Sequence, residues 1–114
     1  MTDHARRETT LWLAQRVSAA VLALCVIVHL ITIIYATRGG LSASEILSRT
    51  RGSGAWLVFY GVFVLAIAVH VPIGLRAIVT EWLGWSGPAR DALLAVFGVT
   101  LLVTGLGAAW AVFA

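Results

Sequence analysis

Three apolar runs occupy most of this 114-residue chain, at about 11–36, 54–79 and 91–113. A helix needs about 20 apolar residues to cross the ~30 Å hydrocarbon core of a bilayer. Lipid offers no hydrogen bonds, so each span must satisfy its backbone internally, which a helix does. None of the runs carries an acidic residue in its interior, and nearly all the charge falls near their ends or between them. The chain is 61% hydrophobic and 11% charged, against about 25% charged in a soluble domain. These features predict an all-α membrane protein, a single domain over 1–114 with three transmembrane helices running up, down and up. They leave no room for a separate soluble catalytic domain.

The basic balance does not point to nucleic acid. All eight basic residues are arginines, scattered near the ends of the apolar runs rather than gathered in a stripe, as interfacial anchors are. The single cysteine, Cys25, excludes an internal disulfide, a cysteine-ligated metal cluster and covalent haem attachment. The first run is too long for a secretory core of 7–15 residues and has no early small-residue cleavage site, so it reads as a retained helix. The five tryptophans, Trp12, Trp56, Trp82, Trp85 and Trp110, lie near the ends of the runs, as an interfacial belt does.

The connections carry their own signals. Thr9 or Thr10 is the expected cap of the first span. Ser42-Ala43-Ser44-Glu45 has capping-box spacing for a short interfacial helix. Gly84, Gly87 and Pro88 mark a tight second turn. The N-terminus and the second turn share one side with Arg6, Arg7, Arg16, Arg76 and Arg90, while Arg38, Arg49 and Arg51 lie on the other. Five against three places the N-terminus in the cytoplasm.

His29 and His70 are the only ionisable side chains near the middle of the runs besides the Cys25 thiol. An ionisable group at such depth is costly and marks a candidate functional site. Neutral imidazole is also the usual axial ligand of b-type haem. His29 falls about 9 Å beyond the middle of its span, toward the outer side, and His70 about 6 Å beyond the middle of its own, toward the inner side. An axial offset on the order of 15 Å prevents them from sharing one iron. As a haem ligand each would need a partner histidine, and this chain has none left but His4 in the polar arm, so either another subunit supplies the partners or only one histidine is a ligand.

Ala66 and Gly74 stand one turn either side of His70 and leave room for a flat macrocycle. Pro72 removes one helical hydrogen bond and predicts a kink. Gln15, Ser18, Leu22, Cys25 and His29 form one stripe at steps of three and four. Arg16 and Arg76 fall at the cytoplasmic ends, where they can neutralise propionates or simply anchor the helices.

Gln15-Arg16-Val17-Ser18-Ala19 followed by His29, and His70-Val71-Pro72-Ile73-Gly74-Leu75-Arg76, resemble the haem-binding membrane anchors of succinate:quinone oxidoreductases, the succinate dehydrogenases and fumarate reductases. The second segment is similar to the family's His-x-x-x-Gly-x-Arg, whose histidine ligates the proximal haem. The spacing from Gln15 to His29 resembles the dihaem branch with two small anchor subunits. Where many monohaem members have His-Arg, with a serine four residues before the arginine, this chain has Gln15 and Trp12. Where the family often has an aspartate and a quinone-binding tyrosine, it has Glu81 and Trp82.

The resemblance implies half of a larger haem-binding bundle, with His70 and His29 as axial ligands of two haems b shared with a second small transmembrane subunit. It implies Arg16, Ser18, Arg76, Gln15, Glu81 and Trp82 as haem-propionate or quinone-site residues. Iron–sulfur and flavoprotein subunits would perform the dicarboxylate chemistry, and this chain would pass electrons to membrane quinone in a bacterial inner membrane without a catalytic residue of its own. The alternatives are a b-haem anchor of another quinone-linked oxidoreductase, or a haem-free subunit of a transporter or assembly complex.

Overall fold

The computed structural model describes residues 2–114. Four helices follow one another: α1 (Asp3–Arg38), α2 (Ala43–Thr50), α3 (Gly54–Leu83) and α4 (Pro88–Phe113). Three of them, α1, α3 and α4, are long and apolar enough to cross a membrane. The all-α bundle expected from the apolar runs is the fold observed, but each long helix outruns its apolar core. The molecule is 52 Å in its longest dimension, more than the ~30 Å of bilayer hydrocarbon.

The N-terminal arm is helical rather than a separate surface segment. The Thr2 hydroxyl caps α1 by accepting from the Ala5 N–H at 3.1 Å, with Asp3 adding negative charge to the first turn. Thr9 and Thr10 are therefore not caps. Their hydroxyls donate back to the carbonyls of Ala5 and Arg6, each at 2.9 Å, because the amides they would have capped already sit inside the helix. The capping box is present at Ser42 and Glu45 and starts α2. Gly84, at φ +65°, supplies the left-handed residue that ends α3, and Pro88 opens α4 where its missing N–H costs nothing.

The central helix is α3, packed along α1 on one side and α4 on the other, while α2 touches α4. Glycines set the closest approaches. An added Cβ at Gly105 of α4 would lie 2.6 Å from a Val64 methyl, and one at Gly98 would lie 3.0 Å from Pro72 Cγ and 3.4 Å from the Ala68 carbonyl. α3 is continuous through Pro72. The Ala68 carbonyl, which the ring deprives of its helical donor, lies against the Gly98 backbone instead.

The enclosed apolar side chains among the described residues are small: Cys25, Ala66 and Ala109. Large ones such as Leu24, Val58 and Val96 point outward. A water-soluble chain would bury them; here lipid and neighbouring subunits can cover them.

Candidate functional site

Both histidines lie on α3's side of the bundle, at different heights. His29 projects from α1 toward α3, where its ring meets Tyr60 and Phe63 edge-on, with centroids 5.8 and 5.5 Å away. It stands between two cavities. One, of about 370 Å³, is bounded by Thr32, Tyr35, Trp56 and α2 residues including Ile46 and Arg49. The other, of about 350 Å³, lies toward α4, against Phe63, Ile67 and Gly105.

His70 sits lower on α3. On α1, the side-chain nitrogen of Gln15 lies 3.2 Å from where a Gly74 Cβ would be, so this pair fixes the register one turn from His70. His29 is level with residues 60–63 of α3, and His70 follows eight or nine residues later, roughly 13 Å along the axis. The offset read from the sequence, on the order of 15 Å, therefore holds in the folded chain, and the two imidazoles cannot meet at one metal.

Neither imidazole is committed to a bond inside the chain. The Nδ1 atoms of His29 and His70 are enclosed and lack hydrogen-bond partners. A buried polar atom without a partner costs about 1–3 kcal/mol. Two such groups in a small bundle mark candidate functional positions. Among the described residues no cluster of three His, Cys, Asp or Glu side chains could hold a bare metal ion.

The surroundings of His70 differ from the open cradle read from the sequence. Ala66 is 6% exposed and packs, like buried Ser18, in the seam between α1 and α3. Gly74 is covered by the Gln15 side chain. These small residues admit α1, leaving the rim of the seam as the approach to the imidazole. The Ser18 hydroxyl donates to the Gln15 carbonyl at 3.1 Å. The side-chain oxygen of Gln15 is enclosed without a partner, a second unmet polar atom beside the same seam.

The remaining predicted site residues do not gather there. Arg76 is six residues past His70, about 120° around the helix. Its guanidinium bonds Glu8 at 3.1 Å and lies 3.8 Å from Asp91. Arg16 is exposed and lies over the Trp12 ring at 5.4 Å. Glu81 and Trp82 are exposed at the end of α3. Gln15 and Ser18 stay in the α1–α3 seam, Gln15 against Gly74 and Ser18 near Ala66.

Sequence reasoning missed the hub of the N-terminal-side charges. Asp91, in the first turn of α4, pairs with Arg7 at 3.1 Å and Arg90 at 2.7 Å as well as facing Arg76. Arg90 is 5% exposed and also donates to the Thr80 hydroxyl at 2.6 Å. The available signal was an Arg-Asp pair at the start of a span, level with Arg76 on the antiparallel neighbour.

These features describe a class: a multi-pass helical membrane protein with a histidine on each of two spans whose Nδ1 has no partner within the chain. Residues 3–107 match the family described as succinate dehydrogenase/fumarate reductase transmembrane subunit. The chain belongs to that family. No curated protein and no solved structure matches it.

Proposed function

We propose that this chain is the haem b-carrying membrane anchor of a succinate:quinone oxidoreductase, linking its iron–sulfur subunit to membrane quinone. The observation that carries this reading is the pair of free imidazoles at two depths in a chain of this family. The donors suit the group: each histidine is only part-buried and has an Nδ1 with no internal partner, and His29 lines two cavities. Haem b, when bound, would supply reversible one-electron chemistry. His70 would hold the inner haem and His29 the outer one, and a second small transmembrane subunit would bring one histidine at each depth.

The chain's own residues have distinct tasks in this reading. Gln15 and Ser18 keep α1 close along the seam that holds His70. Tyr60 and Phe63 orient the His29 ring through their edges. Arg16, with Gln15, Ser18, Glu81 and Trp82 as further candidates, would serve quinone or propionates at the inner end. Arg76 could join them only by loosening its pairing with Glu8 and Asp91. The excess of arginines beside the N-terminus favours a cytoplasmic N-terminus in a bacterial inner membrane. The flavoprotein and iron–sulfur subunits would then dock on that side and perform the dicarboxylate chemistry.

The test is the haem content of the purified complex, read by reduced-minus-oxidised spectra. Two b haems per copy of this chain are expected. His70→Leu and His29→Leu should each remove one, with distinguishable bands. A complex whose haem content ignores both substitutions would end this reading. One haem, lost with His70 alone, would return His29 to a packing role.

A further inference from the structure

A groove of about 400 Å³ runs down α3 between α1 and α4, and neither histidine lines it. Pro72, on its floor, is two residues past His70 and about 160° around the helix from it. We propose that this groove is a binding site for one acyl chain of an anionic phospholipid, whose phosphate is held by Arg7 and Arg76. The proposal rests on the reading above in one respect: a partner subunit that meets the histidines leaves this opposite face to the bilayer.

The dimensions match one leaflet. The groove extends from Arg76 to Leu65 on α3 and from Asp91 to Leu102 on α4. Each stretch of twelve residues spans about 16 Å from end to end, close to half of the ~30 Å hydrocarbon core. Below its charged rim the wall is entirely apolar, including Leu11, Val69, Ile73 and Leu94. Ala68, Pro72, Ala95 and Gly98 keep it hollow where α3 and α4 approach.

The rim is built for an anion. Asp91 draws Arg7 of α1 and Arg76 of α3 toward one point. Three guanidinium groups, Arg7, Arg76 and Arg90, face two carboxylates, Glu8 and Asp91; Arg6 and Asp3 beyond them cancel. Arg90 is spent on Asp91 and Thr80. Each guanidinium has five N–H donors, yet Arg7 uses one, on Asp91, and Arg76 one, on Glu8. Arg76 Nε is enclosed and faces Asp91 at 3.8 Å, so its spare donors are on the terminal nitrogens. The donors left over suit phosphate oxygens, and basic pockets between transmembrane helices bind anionic head groups in this way.

The whole complex would be reconstituted in vesicles of equimolar phosphatidylglycerol and phosphatidylcholine, released, and weighed by native mass spectrometry. Wild type should retain one phosphatidylglycerol per copy of this chain, preferred about fivefold over phosphatidylcholine. Arg7→Gln should bring that preference near unity. Ala95→Phe, which fills the groove from an exposed position, should remove the retained lipid. Unchanged retention in Ala95→Phe, no preference in wild type, or a retained isoprenoid quinone instead of phospholipid would overturn the proposal. Cross-linking of Ala95→Cys to another subunit would do so too, by showing protein on this face. Haem spectra of the same samples separate the two readings: normal haem with any of these failures overturns the lipid site alone.

Discussion

Adding one methyl group at Gly105 should separate α3 from α4 beside His29 and leave His70 untouched. A Cβ there would lie 2.6 and 3.0 Å from the two Val64 methyls and 3.3 Å from Val64 Cβ. Carbon atoms rest at about 3.5–4.0 Å, so the worst contact must open by about 1 Å. Val64 is β-branched, stiff at χ1, and crowded on three of its carbons, so rotation exchanges one clash for another and the helices must move. Such overpacking costs about 1–3 kcal/mol. Replacing glycine by alanine in a helix returns about 1 kcal/mol, so Gly105→Ala should be destabilising by roughly 0–2 kcal/mol. Gly107 lies two residues along the same helix with nothing within 4 Å of its added Cβ; Gly107→Ala should be neutral or stabilising, by up to about 1 kcal/mol.

Thermal unfolding of the purified complex would measure both variants against wild type. Gly105 and Val64 also wall the cavity next to His29, so the shift should perturb the outer haem band alone. Two variants moving stability in the same direction would refute the packing argument. A perturbed His70 band with an unchanged His29 band would refute the assignment of depths.

Thr50 is buried and donates to the Val112 carbonyl at 2.8 Å, tying the end of α2 to α4. Thr50→Val should cost about 1 kcal/mol, seen as a lower unfolding midpoint with faster hydrogen exchange in α2. Arg16→Ala should slow quinone reduction more than electron transfer from succinate to a soluble artificial acceptor. Wild-type rates with both acceptors would leave Arg16 as an interfacial anchor stacked on Trp12.

Features set by local chemistry or by the bilayer were legible before folding. The three spans follow from length and the absence of interior charge, and the α2 start follows from the reach of Ser42 and Glu45. The unequal depths of His29 and His70 follow from counting residues at a fixed helical rise. What escaped was set between helices. The Ala66–His70–Gly74 stripe reads as an open cradle because spacing shows that small residues share a face, but not which neighbour takes it; α1 does. Arg76 reads as a free cation near the histidine because Asp91 lies fifteen residues away and reaches it only after α4 turns back. The caps at Thr9 and Thr10 failed for a simpler reason: helix is not confined to lipid, and the polar arm from Asp3 continues the same hydrogen-bond ladder.

The histidines and the ion pairs use different sides of α3, and this separation bears on how the chain can serve two environments. Phe63, Ile67 and His70 recur at steps of three and four, a stripe that meets His29 through Phe63. Leu65, Val69, Pro72 and Arg76 recur in the same way and line the opposite groove up to Asp91. Each stripe is unfinished in its own manner: one has imidazole nitrogens without partners, the other an apolar channel with surplus guanidinium donors at its mouth. A partner helix could fill either hollow, but only a group that hydrogen-bonds or coordinates imidazole answers the first, and only an anion at the interface answers the second. If the histidine side meets the second anchor subunit, Arg7 and Arg76 are drawn by Asp91 to the lipid side, where they cannot compete for the same ligand. Substitutions at Gly105 and Ala95 therefore probe separate sites from one helix, and the haem and lipid readouts should respond independently.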